Sequence, residues 1–132
     1  KLFLGNDRKK ILEKVCFVEE FAEIGKYFYR PFKTYSSGMK SRVTFGLSMA
    51  FQFDYYLIDE VTAAGDQKFR EKCSEALQKL HQKASFIMVD HNLWGLEFHC
   101  DRAFILHEGS LLMFDNIKEG IKKHIELLGV KN

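Results

Sequence analysis

The fold of this chain is decided by the stretch Tyr55-Tyr56-Leu57-Ile58-Asp59-Glu60, in which four apolar or aromatic residues lead into two adjacent carboxylates. An unbroken apolar run of this length is typical of a strand buried on both faces, as in a parallel sheet. Asp59 and Glu60 would then lie at the carboxyl end of the strand, where open α/β sheets bind their ligands. Because neighbouring strand residues point to opposite faces, one carboxylate can reach a metal ion while the other faces an attacking water.

Two helices are predicted before this strand. Apolar residues recur at spacings of three, four and seven over residues 8–28, which predicts a helix that Asn6 or Asp7 can cap. The small polar loop Ser36-Ser37-Gly38 opens a second helix, predicted over residues 39–53.

Helices alternate with apolar strands over the rest of the chain. Asp66 caps a predicted helix over residues 67–83, Asn92 can cap a short helix after residue 92, and Asn116 caps a last one. Three further strands are predicted, at residues 85–89, 102–106 and 110–114, the last two joined as a hairpin. This alternation predicts an α/β layer architecture with a largely parallel sheet.

The composition excludes several classes of protein. The sequence has 132 residues, of which 46% are hydrophobic and 29% charged, as in one globular domain and unlike a disordered chain. A net charge of +2 is too small to indicate nucleic-acid binding. The sequence also has no run of about 18 apolar residues that would predict a membrane span. The three cysteines, Cys16, Cys73 and Cys100, are odd in number, widely spaced and each set in an apolar pattern, so they are interpreted as buried free thiols of a reducing compartment. A zinc site from Cys100 with His99 would have the wrong spacing.

Ser36-Ser37-Gly38 can be interpreted as a phosphate site. The amino end of a helix has unpaired N–H groups and about half a positive charge, which suits an anion. The two hydroxyls add donors, and Gly38 lets the backbone come close to a ligand. The alternative is a serine cap followed by a turn glycine, and the local sequence leaves both interpretations open.

Asp59 and Glu60 suit the chemistry of a phosphate site. An aspartate at the end of a strand commonly holds Mg²⁺, directly or through water. A neighbouring glutamate can orient or deprotonate water, an effect worth about a hundred- to ten-thousandfold in rate. The alternative is that Glu60 caps the next turn and Asp59 is merely solvated.

His91 follows the predicted strand over residues 85–89, so it lies near Asp59 and Glu60 if the two strands are close. A histidine at this place can hydrogen-bond a phosphoryl group or the attacking water. The alternative is a histidine with a structural role.

In this order, the motifs resemble the second half of the nucleotide-binding domain of ATP-binding-cassette (ABC) ATPases. The stretch Tyr35-Ser36-Ser37-Gly38-Met39-Lys40-Ser41-Arg42 is similar to the family's signature loop, and Tyr55-Tyr56-Leu57-Ile58-Asp59-Glu60 to its Walker B strand with the catalytic glutamate. Ala63-Ala64-Gly65-Asp66 resembles the D-loop, and His91 resembles the switch histidine. The resemblance covers essentially the whole chain.

The resemblance implies part of a P-loop NTPase fold. Residues 1–35 would end the helical subdomain, and residues 36–132 would form the signature helix and the Walker B half of the nucleotide-binding core. ATP and Mg²⁺ would be bound between two copies of the subunit. By this resemblance, Ser36, Ser37 and Gly38 would contact the γ-phosphate of the ATP that the opposite subunit holds.

The resemblance also implies roles for the remaining site residues. Asp59 would bind magnesium, Glu60 would polarise the attacking water, and His91 would sense the γ-phosphate. Asp66 would link the two sites across the subunit interface.

Three further stretches are similar to the ATPase subunits that export capsular polysaccharide from Gram-negative bacteria, namely residues 19–23, 34–39 and 53–56. This similarity implies an ATPase that energises polysaccharide export across the inner membrane. Its partners would be a second copy of the ATPase subunit and a transmembrane permease subunit, with no nucleic acid. The subunit would be cytoplasmic and peripheral on the inner face of that membrane.

The sequence departs from the family pattern in several places. Ser37 and Met39 replace the glycine and glutamine of the usual signature, Val61 replaces a proline, and Gly65 replaces the leucine of the D-loop. The sequence contains no G-x-x-x-x-G-K-[ST] phosphate loop. Because the chain opens with Lys1, we expect a piece of a longer protein. Because the phosphate loop and its strand are missing, we expect this piece alone neither to bind ATP tightly nor to fold well.

Two other functions fit the same motifs. The first is a non-catalytic binding module, which would complete another subunit's ATP site through residues 36–38. The second is an ABC ATPase without a membrane partner, acting in DNA repair or translation. The near-neutral charge and the single cassette half disfavour the latter.

Overall fold

The computed structural model describes residues 7–59 and 66–129. These residues form two compact units. The first comprises residues 7–55 and 66–84, and the second comprises residues 56–59 and 85–129. The division that the resemblance implies, between a helical subdomain ending at residue 35 and a nucleotide-binding core, remains a prediction.

The first unit is helical. Its elements are α1 (Arg8–Ala22), two 3₁₀ turns (Gly25–Tyr29 and Phe32–Thr34), α2 (Ser37–Ala50) and α3 (Gln67–His81). Two of these elements, α2 and α3, match the sequence prediction in kind and place, with ends that differ by at most about three residues, which is close to the usual uncertainty of helix ends.

The predicted length of α1 is wrong, because the helix ends at Ala22 and not near residue 28. Glu23 adopts a left-handed backbone with φ of 50°, and Gly25 follows with φ of 56°, so the chain leaves the helix there. The apolar stripe is also only partly buried: Val18 lies in the core, whereas Val15 is 41% exposed.

Three phenylalanine rings, one from each helix, form the core of the first unit. Phe21 of α1 stacks on Phe45 of α2 with the ring centroids 5.5 Å apart, and meets Phe69 of α3 edge-on at 5.8 Å. All three side chains are buried. Because burying a phenylalanine side chain contributes about 1.5–3 kcal/mol, this cluster is a major reason why the three helices pack together.

The second unit contains the strands. Its elements, with β1 beginning at the boundary between the units, are β1 (Tyr55–Asp59), β2 (Ser85–Val89), α4 (Leu93–His99), β3 (Ala103–His107), β4 (Ser110–Phe114) and α5 (Ile117–Leu127). Strands β1 and β2 pair in a small parallel sheet, and β3 pairs with β4 in an antiparallel hairpin. The predicted α/β class is confirmed, although among the described residues the hairpin forms its own sheet and does not extend the parallel one.

The prediction that β1 is buried on both faces is wrong for the part of the chain that the structure describes. Tyr56 and Ile58 are buried, whereas Tyr55 and Leu57 are 78% and 83% exposed. This alternation is the pattern of a sheet with one covered face. An apolar run therefore identified the strand correctly but did not say how many of its faces are covered.

The predicted turn and caps are confirmed where they are described. Glu108 and Gly109 both have positive φ and join β3 to β4 as a two-residue turn, with His107 opposite Ser110. The Asn92 and Asn116 side chains accept hydrogen bonds from backbone N–H groups of the first turns of α4 and α5.

The interpretation of the cysteines is correct only in part. Cys73 is buried in α3, and burial raises the pKa of its thiol to about 11, so it remains protonated at neutral pH. Cys100 is partly buried, and burial raises the pKa of its thiol as well. Cys16 is exposed, because it lies off the buried side of α1, and its prediction as a buried thiol is wrong.

Helix α5 contacts β3 closely at Gly120, so we predict that Gly120→Ala destabilises the protein. A Cβ at this buried position would collide with the Cβ of Ala103, which the β3 backbone holds in place. Overpacking costs about 1–3 kcal/mol and outweighs the gain of about 1 kcal/mol in helix propensity. Urea unfolding of the whole protein measures the change in the free energy of unfolding.

Gly38→Ala in α2 is the matched control for this substitution. A Cβ there would have no described heavy atom within 4 Å, so stability should be unchanged or slightly higher. Equal stability of Gly120→Ala and the unsubstituted protein would contradict the close packing of α5 on β3.

Candidate functional site

Ser36 is the N-cap of α2. Its backbone is extended, and its Oγ accepts a hydrogen bond from the N–H of Met39 at 3.2 Å. The cap interpretation is therefore confirmed for this serine. The hydroxyl proton of Ser36 is not used in that bond and can be donated to another group. Ser37 is the first residue of the helix and is exposed.

Gly38 lies in the first turn of α2, with open space beside it. A Cβ at this position would meet no heavy atom of the described residues within 4 Å. Its backbone has no positive φ that would require glycine. The packing described here therefore gives no reason for a glycine at residue 38, whereas a ligand approaching the amino end of α2 would give one.

Asp59 and His91 lie at one edge of the small parallel sheet. Asp59 is the last residue of β1 and is exposed, and His91 comes two residues after Val89, the last residue of β2. Because parallel strands end at the same edge of a sheet, the structure brings these two predicted site residues to one edge of the second unit. Glu60, the predicted catalytic glutamate, lies outside the described residues.

The turn after β2 presents the ring of His91 to solvent. The side chain of Asp90 is only 2% exposed and accepts a hydrogen bond from the N–H of Asn92 at 2.8 Å. The Nδ1 atom of His91 lies 3.6 Å from the same carboxylate, and its side chain is 75% exposed. This exposure argues against a role for His91 in packing.

Asp66 is the N-cap of α3, as predicted. Its Oδ1 accepts a hydrogen bond from the N–H of Phe69 at 2.9 Å. Its Oδ2 lies 2.9 Å from Nη2 of Arg42 in an ion pair with the signature helix. Both carboxylate oxygens are therefore engaged within one chain. The role implied for Asp66 across a subunit interface remains a prediction.

Arg42 is a residue that the sequence reasoning missed. Besides Asp66, its guanidinium contacts the carbonyl oxygen of Ala22 through Nη1 at 3.3 Å, and its Cζ lies 4.3 Å from the centre of the Phe69 ring. The two members of the ion pair are 24 residues apart in the sequence. No local spacing rule connects them, and the only sequence signal is a cation within the signature stretch.

A second ion pair joins α3 to the end of α1. Lys72 donates to a carboxylate oxygen of Glu23 at 2.7 Å and to the carbonyl oxygens of Glu20 and Phe21. The hydrogen bond and the positive charge of Lys72 lower the pKa of Glu23. Lys72 thus satisfies carbonyl groups that the end of a helix leaves without partners.

The described residues fit a nucleotide phosphate better than a metal held by protein alone. Within residues 7–59 and 66–129, no group of three histidine, cysteine or acidic side chains could hold a metal ion. Mg²⁺ in phosphate-binding sites needs only one or two carboxylates, with water and phosphate oxygens as its other ligands. The exposed carboxylate of Asp59 meets that requirement, and the capped amino end of α2 suits an anion.

The sequence is similar to ATP-binding proteins of polysaccharide transport. It is 55% identical over 115 residues to the polysialic acid transport ATP-binding protein KpsT of Escherichia coli, covering 86% of this chain and 52% of that protein. It is 42% identical over 112 residues to the capsule polysaccharide export ATP-binding protein CtrD of Neisseria meningitidis serogroup B, covering 85% of this chain and 52% of that protein. The chain thus spans about half the length of these relatives. No protein-family model matches it.

The fold is similar to solved ATP-binding cassettes. An ATP-binding subunit of an ABC transporter superimposes with a TM-score of 0.72 at 21% identity, covering 96% of this chain and 53% of that one. The ADP conformation of another cassette gives a TM-score of 0.64 at 17% identity, covering 99% of this chain and 54% of that one. The predicted resemblance and fold are confirmed, and this chain is homologous to ATP-binding proteins of capsule polysaccharide export.

We predict that Ser36→Ala lowers the stability of the protein by about 1 kcal/mol, because it removes the cap of α2. Ser37→Ala is the matched control, because the Ser37 hydroxyl makes no hydrogen bond with the described residues, and alanine keeps the carbonyl oxygen to which the Ser41 hydroxyl donates. Denaturant unfolding of the whole protein measures the free energy of unfolding of both variants. Equal stability of the two variants would show that the Ser36 hydroxyl does not stabilise α2.

Proposed function

We propose that this chain is the carboxyl-terminal part of the ATP-hydrolysing subunit of an ABC transporter that exports a polysaccharide across the inner membrane. The observation that carries this proposal is the 55% identity to the polysialic acid transport ATP-binding protein, over 86% of the chain. The family motifs lie within this region of the sequence. The cytoplasmic, membrane-peripheral location and the permease partner follow from this proposed role.

The signature residues would contact the nucleotide of a second copy. The amino end of α2 has a positive partial charge, and Gly38 leaves open space beside it. Ser36 can donate its hydroxyl proton to a phosphate oxygen while its Oγ still caps the helix. Ser37 is exposed at the same end and adds a second hydroxyl. These features support a γ-phosphate contact made in trans.

Asp59, Glu60 and His91 would act on the nucleotide that their own subunit holds. Bound Mg²⁺ would neutralise phosphate charge, and Asp59 would provide a carboxylate for it. Glu60 would orient and polarise the attacking water. The exposed ring of His91 can donate a hydrogen bond to a γ-phosphate oxygen. Differences in the binding of ATP and ADP would then drive the closing and opening of the two subunits.

The first prediction from this proposal concerns Glu60→Gln in the whole protein. Glutamine keeps the size of the side chain but cannot act as a base, so ATP hydrolysis should fall by about a hundred- to ten-thousandfold. ATP binding, measured by equilibrium dialysis, should be unchanged. Glu75→Gln, on the exposed side of α3, is the matched control and should hydrolyse ATP normally. Undiminished turnover by Glu60→Gln would refute the role of this glutamate.

The second prediction concerns Gly38→Ala. A Cβ at this position fits the described packing, so the midpoint of thermal unfolding should not fall. The same Cβ would displace a phosphate from the amino end of α2, and hydrolysis should fall by about 10- to 100-fold. Normal hydrolysis by the stable variant would show that no phosphate approaches this glycine.

A further inference from the structure

We propose that Arg42 is a positioning residue, which fixes Asp66 relative to the phosphate-binding amino end of α2 and so couples nucleotide contact at residues 36–38 to hydrolysis. This inference rests on the proposed function and adds to it a residue with no part in the family motifs' assigned chemistry. Arg42 does not touch the proposed nucleotide site itself. It would act through Asp66.

Arg42 joins the helix that carries the signature residues to Asp66. Arg42 lies six residues after Ser36, which corresponds to about 9 Å along one rigid helix. Its Nη2 lies 2.9 Å from Oδ2 of Asp66. A single helix segment and one charge-assisted hydrogen bond therefore connect the signature residues to the start of α3.

The guanidinium of Arg42 is held on several sides. The side chain of Arg42 is only 16% exposed. One nitrogen donates to the carbonyl oxygen of Ala22, another donates to Asp66, and the planar group lies over the ring of Phe69. A lysine has neither the fork of donors nor the flat face, so it cannot make all of these contacts together.

Other contacts than the bond from Arg42 stabilise α3. Asp66 caps α3 through Oδ1, so the cap does not require the bond from Arg42 to Oδ2. The Lys72–Glu23 ion pair also ties α3 to the end of α1, so α3 is fixed to the rest of the unit without Arg42. Neither the cap nor the Lys72–Glu23 pair connects Asp66 to α2, so the distinct effect of Arg42 is the direct bond that holds the Asp66 side chain to α2.

The consequence concerns the rate of hydrolysis more than the affinity for ATP. A phosphate that binds at the amino end of α2 would act on Asp66 through the bond from Arg42. Only five residues of sequence separate Asp66 from Glu60. If the link is lost, the signature contact can still form but no longer fixes Asp66. The kcat for ATP should therefore fall while KM stays nearly constant.

The test is a double-mutant cycle on kcat and KM in the whole protein. Arg42→Lys keeps the positive charge but loses the paired guanidinium donors and the flat contact with the Phe69 ring. Asp66→Asn keeps a side-chain oxygen that can cap α3 but loses the charge that binds Arg42. Because Asp66 is 68% exposed, this second variant should fold even if Arg42→Lys does not. The expected result is a fall in kcat of about tenfold for each variant, with KM within about twofold, and no further fall in the double variant.

Lys72→Met is the matched control, because it removes the neighbouring ion pair that joins α3 to the end of α1, and the hydrogen bonds of Lys72 go to Glu20, Phe21 and Glu23. It should lower the midpoint of thermal unfolding without lowering the kcat of the folded protein. Multiplicative effects of Arg42→Lys and Asp66→Asn, or normal kcat in both, would overturn the inference while the proposed function stands. A whole protein that does not hydrolyse ATP would overturn both.

Discussion

The contact among three phenylalanine rings determines the arrangement of the first unit. Phe21, Phe45 and Phe69 each come from a different helix, so their packing fixes how α1, α2 and α3 lie against one another. Two cations lie over rings of this cluster. Arg42 lies over the Phe69 ring at 4.3 Å, and Lys72 over the Phe21 ring at 4.9 Å. The aromatic cluster therefore places the guanidinium and the ammonium groups that bind Asp66 and Glu23.

The parts that the sequence predicted well are those set by local chemistry. Capping side chains at Ser36, Asp66, Asn92 and Asn116 gave the starts of four helices, because a cap is satisfied by backbone groups two or three residues away. The turn at residues 108–109 was also predictable, since glycine suits the positive φ of Gly109, although Glu108 is an unusual residue for the positive φ that it adopts. The boundary of α1 was not, because its apolar spacing continues beyond Ala22 while the backbone of Glu23 and Gly25 turns away.

Properties that depend on distant parts of the chain were predicted less well. The burial of β1 on one face only and the exposure of Cys16 depend on which elements pack nearby, and an apolar pattern does not contain that information. The Arg42–Asp66 pair is a similar case, because 24 residues separate its members. For the candidate site, the motifs named the residues, and the structure brought Asp59 and His91 to one edge of the parallel sheet. Their roles on a nucleotide remain proposals.

The central claim is that residues 36–38 of one subunit complete the ATP site of a second copy. Sedimentation velocity of the whole protein tests it most directly, with Mg²⁺ present and with or without a non-hydrolysable ATP analogue. The account predicts a monomer without the analogue and a dimer with it, because the analogue would bridge the two subunits. A protein that remains monomeric while the analogue is bound would contradict the account.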